Sequence, residues 1–170
     1  RLAWRRPVNI EDRPDESGKG LFSEVTSVTP DYFTVLQASL VRGRYFTEDD
    51  ETGKRQVAIV DETTARTYWP DRDPIGRRLS IRGKRDVANP PWCTVVGVIE
   101  DIKSGGLDQS GDPHIYRPIY QFRGTRVLSL NVTVRTSLSA TSLEPQIRRE
   151  IQAVDPNLPA FNVRTMNDVI

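Results

Sequence analysis

Two hydrophobic periods run along this chain. A period of two recurs at 22–28, 77–82 and 127–134, and it predicts half-buried strands. In 77–82, Leu79 and Ile81 fall on one face and Arg78, Ser80 and Arg82 on the other. In 127–134, Leu128, Leu130, Val132 and Val134 share a face. Gln56-Val57-Ala58-Ile59-Val60 predicts a compact strand, and 93–99 an apolar strand that pairs with 77–82 as a hairpin with a longish loop. A short strand is predicted at Val8-Asn9-Ile10, and another at 115–122, where Pro118 argues for an edge position.

The helical signals are of a different kind. Thr29-Pro30-Asp31 opens a short helix, with Thr29 as cap, Pro30 in the first turn and Tyr32, Phe33 and Leu36 on one face. Asp61 caps a helix over 62–69 that Pro70 ends, and Ala65, Tyr68 and Trp69 share its face. A third helix over 143–154 carries Leu143, Ile147, Ile151 and Val154 as an apolar stripe. Arg42-Gly43-Arg44 and Asp73-Pro74-Ile75-Gly76 are expected to turn. Phe161-Asn162-Val163-Arg164 is expected to be a strand, and Thr165 with Asp168 resembles a capping box for a following helix. The C-terminal part is thus expected to be a β-α-β unit, with a right-handed crossover if its strands are parallel. The middle, about 40–122, is β-rich, and the ends are α/β.

Composition narrows the function classes. The chain has 170 residues, enough for one domain or two small lobes. With 24 Lys+Arg against 23 Asp+Glu it has no basic excess, so nucleic acid is not an expected partner. No run approaches the ~20 apolar residues that cross a bilayer. The chain begins at Arg1 without a signal-type segment, so a piece of a longer protein is expected.

One cysteine and one histidine leave little room for metal or thiol chemistry. Cys93 lies in an apolar run and is expected to be a small buried hydrophobe; a Cys93–His114 catalytic pair is the competing reading. His114 is expected at the start of a strand. Glu100 and Asp101 are the best carboxylate pair for an enzyme. As neighbours in a strand they would point to opposite faces and could not flank one bond. The acidic run Glu48-Asp49-Asp50-Glu51 after Thr47 lacks calcium-loop spacing and is expected to be a capped turn. Ser104-Gly105-Gly106-Leu107 is neither a phosphate loop nor a dinucleotide fingerprint. Arg77, Arg78, Arg82, Lys84 and Arg85 form the one local basic cluster.

Several blocks in order resemble a known family. They are Thr29-Pro30-Asp31-Tyr32-Phe33 with Leu36, Arg42-Gly43-Arg44 and Phe46; then Val57-Ala58-Ile59-Val60-Asp61-Glu62 with Ala65-Arg66 and Trp69-Pro70. Asp73-Pro74-Ile75-Gly76 with Leu79 follows, then Thr94-Val95-Val96-Gly97-Val98 with Asp101, Gly106-Leu107 and Ile115-Tyr116-Arg117-Pro118. Over about residues 25–170 the chain resembles the MacB-like periplasmic core domain of FtsX-type ABC transporter permeases. The resemblance implies an α+β fold of two lobes. One is a porter-like β-α-β lobe from 1–39 with 123–170; the other is an inserted β-rich lobe over about 40–122. A complete family domain begins with a further strand–helix segment, so the porter-like lobe is expected to be incomplete at its N-terminus.

The resemblance also implies a role. The domain would be non-catalytic and hold no cofactor or metal. It would couple ATP-driven membrane motions to substrate export or to an outer partner. Implied partners are transmembrane helices of the full-length chain, a cytoplasmic ABC ATPase that uses the ATP, a second permease copy, and a periplasmic adaptor or transported substrate. The implied place is the periplasmic face of the bacterial inner membrane. Arg78, Arg82, Arg85, Gly105, Gly106 and Leu107 are the candidate partner-contact residues. A stand-alone extracytoplasmic ligand- or protein-binding module is the alternative, which apolar spans flanking the segment would exclude.

Overall fold

A computed structural model of the chain describes residues 4–11, 20–52, 55–81, 91–102, 111–121, 130–159 and 162–165. It is a mixed α and β structure. Seven strands are β1 (Trp4–Ile10), β2 (Leu21–Val28), β3 (Leu40–Gly43), β4 (Val57–Asp61), β5 (Arg78–Ile81), β6 (Trp92–Ile99) and β7 (His114–Pro118). The helices are α1 (Tyr32–Leu36), α2 (Glu48–Thr52), α3 (Glu62–Tyr68) and α4 (Ala140–Val154).

The strands form one sheet in the order β3-β6-β4-β7-β2-β1-β5, and β5 pairs back onto β6. Six strands therefore close into a barrel, with β3 outside the ring on β6. Closure removes the free edges that an open sheet would expose. Two pairs are parallel, β2 with β7 and β4 with β6; the rest are antiparallel.

Alternation explains the two cores. One set of side chains points into the barrel: Val8, Ile10, Val25, Ala58, Val60, Leu79, Ile81, Cys93, Val95 and Ile115. Tyr68 and Trp69 of α3 complete this core, and Tyr68 shares a 2.6 Å hydrogen bond with Ser23. The opposite set, with Val28, Val57, Ile59, Ile99 and Tyr116, packs outside the barrel under Phe33, Ala38 and Phe46. Phe33 is the hub there, edge-on to Tyr116 at 5.1 Å and stacked on Tyr45 at 5.8 Å. Gly97 of β6 sits beside a register shift, and a β-carbon there would collide with the carbonyl oxygen of Arg44. The close approach of β3 to β6 thus requires glycine.

Several expectations are corrected. β7 is central, between β4 and β2, although it contains a proline. Pro118 is its last residue, where the missing N–H costs little. Residues 40–43 form β3 rather than leading straight into a turn, and Gly43 at φ 76° ends it. α1 begins two residues later than Pro30, with Asp31 at its N-cap and Thr29 contributing only its carbonyl to the turn. Ser80, which alternation puts on the face of Arg78 opposite Leu79 and Ile81, is buried, so β5 is covered on both sides at this residue.

The C-terminal expectation fares differently. α4 forms, three residues longer at its start than its stripe suggests. The flanking strands do not form among the described residues. Residues 130–136 have no ladder, and Leu130 and Val132 are 64% and 62% exposed. Residues 162–164 are not a strand, and Asn162 has φ 57°. The described C-terminal residues therefore hold no β-α-β unit. β1 and β2, placed with the chain ends in the two-lobe expectation, are built into the same barrel as the middle strands.

Candidate functional site

Three side-chain clusters sit around the barrel. In the first, the Asp50 side chain reaches back to Thr47 at the start of α2. Asp50 Oδ2 accepts from the Thr47 backbone N–H at 2.9 Å and from its hydroxyl at 3.2 Å. Arg44 donates to both Asp50 oxygens, at 2.6 and 2.9 Å. That paired hydrogen bond holds the Asp50 carboxyl below its ordinary range. Beside it lies an open cleft of about 360 Å³ lined by Arg44, Asp49, Asp50, Arg55, Val57, Thr94 and Val96.

The second cluster is the start of α3. Asp61, the last residue of β4, caps the helix by accepting from the Thr64 N–H at 2.7 Å. Burial pushes its carboxyl up to about 6. Asp101, just past β6, accepts from the Thr63 N–H at 2.9 Å and its hydroxyl at 2.7 Å, and pairs with Arg66 at 3.1 Å. Burial pushes Asp101 up, but these partners outweigh it and leave the carboxyl lowered. Glu100 turns away and accepts from the Ser39 N–H at 3.0 Å. The adjacent carboxylates thus hold two different backbone segments, which is structural work rather than acid–base pairing.

The third cluster surrounds His114. Its ring stacks on Tyr116 at 4.3 Å, lies 2.8 Å from the Thr26 hydroxyl, and faces Glu24 at 3.5 Å. His114 starts β7, on the outer face of the barrel. Cys93 lies in the interior near the start of β6. Because β6 runs parallel to β4 and β7 antiparallel to it, these two residues sit at opposite ends of the barrel. They form no catalytic pair. Cys93 is buried, and burial pushes its thiol up to about 11, away from thiolate reactivity.

The described residues contain no cluster of three or more His, Cys, Asp or Glu side chains suited to a metal ion. Of the candidate partner-contact residues, Arg78 is placed: it pairs with Glu11 at 2.7 Å and lies over the Trp92 ring at 5.5 Å. Its guanidinium is thus engaged within the barrel wall. Arg82, Arg85, Gly105, Gly106 and Leu107 lie outside the described residues. The Arg44–Asp50 and Asp101–Thr63 contacts escape a reading of sequence alone. Their partners come from separate elements, and only Thr47 with Asp50 carries a local signal.

The geometry offers caps, ion pairs and a sealed barrel, and comparison with other proteins gives this scaffold its family. The model of the MacB-like periplasmic core domain matches residues 6–154. The chain belongs to this family. Among curated relatives, the MacB-like chain is 25% identical to a macrolide export ATP-binding/permease protein MacB of Bdellovibrio bacteriovorus, over 92% of its own length and 26% of the relative. It is 30% identical to a probable syringafactin export ATP-binding/permease protein, SyfD, of Pseudomonas syringae, over 75% of its length and 19% of the relative. The MacB-like chain thus spans about a quarter or less of those proteins.

Solved structures agree on the fold. The periplasmic region of MacB from Actinobacillus actinomycetemcomitans aligns with TM-score 0.63 and 16% identity, covering 89% of this chain and 64% of that one. The extracellular domain of the transporter YknZ from Gram-positive bacteria aligns with TM-score 0.63 and 17% identity, over 96% and 78%. No helix among the described residues is long and apolar enough to cross a membrane.

Proposed function

We propose that this chain is the non-catalytic extracytoplasmic domain of an ABC transporter permease and transmits ATP-driven membrane motions to an exported substrate or an outer partner. The single observation that carries the reading is the family match over 6–154, most of the chain, including all seven strands but the start of β1. The local chemistry is in keeping with it. Asp50, Asp61, Asp101 and Arg44 hold helices to strands, as a part that relays force needs. ATP would be used by a separate cytoplasmic ATPase domain or subunit.

The organisation proposed is two lobes, with the barrel as one. The second, porter-like lobe would include α4 and 130–134 and would be completed by chain beyond these 170 residues. The solved relatives offer room for this, since the chain covers only 64% and 78% of them. A second permease copy and a periplasmic adaptor are the proposed assembly partners. Arg82 and Arg85 with Gly105, Gly106 and Leu107 are the proposed contact residues; Arg78 is a weaker one because Glu11 engages it.

Cysteine labelling tests the location. Tyr120 is 65% exposed, and native Cys93 is buried. A Tyr120→Cys variant of the full-length permease should react with a membrane-impermeant maleimide once the outer layers are breached but the inner membrane is intact. Labelling only after inner-membrane lysis would place the domain in the cytoplasm and end the reading.

A further inference from the structure

We propose that the joint of α3, β4 and β7 is a proton-responsive element: Asp61 takes up a proton in mild acid, and the domain becomes more stable as it does so. The proposal stands independently of the transport reading.

Geometry carries it. Asp61 is 4% exposed, and one of its oxygens, Oδ1, serves both backbone donors assigned to it. These are the N–H of Thr64 at 2.7 Å and that of His114 at 3.3 Å. The same joint is tied again by the Thr64 hydroxyl, which donates to the His114 carbonyl at 3.1 Å. A carboxylate this deep needs a facing cation or several donors to stay charged at little cost.

Among the described residues, the surrounding groups do not supply the cation. On α3, Glu62 adds a negative charge, and Arg66 turns to Asp101 at 3.1 Å and Glu62 at 3.9 Å. Tyr68 shares its hydroxyl with Ser23 of β2. From the end of β6, Asp101 adds a second carboxylate that disfavours charge on Asp61. From β7, His114 offers Asp61 its backbone N–H, while its ring faces Glu24 and Thr26 of β2. The Asp61 charge is therefore buried beside a second carboxylate, and the Thr64 hydroxyl with the Thr64 and His114 amides offsets its burial only in part.

The direction follows from that setting. A neutral carboxyl still accepts through its carbonyl oxygen, so proton uptake removes the buried charge without removing the Thr64 or His114 bond. Burial raises the folded-state value from 3.8 to about 6. The stability that Asp61 contributes is then fully present below about pH 4 and is lost as pH rises through 6. Asp50 and Asp101 act in the opposite sense. Their lowered values make their contributions fall only as the solution becomes more acidic than the ordinary carboxylate range. The two responses occupy different windows.

Urea unfolding of the 170-residue chain at pH 7 and pH 5 tests the proposal, with Asp61→Asn and His114→Gln alongside. The Asp61→Asn variant keeps an acceptor oxygen at this position and cannot titrate there. Between pH 7 and pH 5 the wild-type unfolding constant should fall about tenfold relative to Asp61→Asn, given values of about 6 and 3.8. His114→Gln should keep that fall. Equal pH dependence in wild type and Asp61→Asn would overturn the proposal, as would loss of the response in His114→Gln alone. Should Asp61→Asn not fold, carbonyl-carbon NMR of wild-type Asp61 decides: a midpoint near pH 6 supports the proposal, and one near pH 4 overturns it.

Discussion

β5 and the stretch 130–134 carry the same two-residue alternation, with leucine and β-branched residues on one face. Their outcomes differ. β5 is held between β1 and β6, so Leu79 and Ile81 enter the barrel core. Leu130, Val132 and Val134 lie outside any ladder and stay exposed. Of the ten exposed large apolar residues among those described, seven fall between 130 and 163. Alternation therefore specifies a face, and a neighbouring strand edge turns that face into burial. In the barrel, every strand of the ring finds two neighbours. In the C-terminal arm the edge is absent among the described residues, and full burial worth about 1.5–3 kcal/mol per large side chain is not realised. α4 shows the same thing in helical form: it has its stripe, yet Val154 is 83% exposed and no barrel element packs extensively on it. Among the described residues, a hydrogen bond from Arg135 Nε to the Val35 carbonyl at 2.8 Å joins the arm to the barrel's outer layer.

The sharpest way to break this contrast is a truncation on the barrel side. Ile115 is fully buried between β4 and β2 in the interior core. Ile115→Ala should cost about 2–5 kcal/mol in urea unfolding of the 170-residue chain, because the closed ring cannot collapse around the cavity. A loss below about 1 kcal/mol would mean that the barrel interior is loosely packed, and the distinction between the regions would fail.

A smaller effect is expected at the barrel's polar brace. Asp50 satisfies the Thr47 N–H and binds Arg44 through two oxygens. Asp50→Ala should cost about 1–2 kcal/mol at neutral pH, the usual range for a lost helix cap with a partly buried ion pair. Its carboxyl is held low, so the contribution is present above the ordinary carboxylate range and fades as pH falls through and below it. Wild type and variant should therefore converge in acid. A gap that stays constant from neutral to strongly acidic pH would show that Asp50 acts through shape rather than charge.

The same contrast explains what could be read in advance. The cap at Asp61, the turn at Asp73 with its bond to the Ile75 N–H, and the runs that became β4 and β6 are local features and form near their expected positions, whereas at 47–50 the bond is made by Asp50 to the Thr47 N–H rather than by Thr47 as a cap. The β5–β6 pairing is a hairpin and legible in the sequence, but barrel closure also needs β1–β5, which joins residues far apart whose alternation names no partner. Pro118 in isolation suggests an edge for β7, which the structure makes central. Only the register with Val28 shows that the proline falls at the strand end. Among the candidate contact residues, Arg78 illustrates the limit. Alternation correctly puts it on the outer face, but nothing in the sequence announces Glu11 as its partner.

The smallest expected effect tests the arm itself. In the 170-residue chain, replacing Leu130 and Val132 together with serine removes apolar surface that is already in water. Stability in urea should change by no more than about 0.5 kcal/mol, as for ordinary surface changes. Binding of a hydrophobic dye or self-association of the chain should decrease, since these side chains belong to its exposed apolar surface. In the full-length permease, where the proposed second lobe would supply the missing strand, the same pair should cost more, about 1–3 kcal/mol per side chain, and should lower the amount of folded protein. A loss above about 1 kcal/mol in the 170-residue chain would show that 130–134 is already docked, which erases the contrast. No loss in either form would mean that the alternation at 128–134 has no strand partner in the whole protein, and the two-lobe proposal would fall with it.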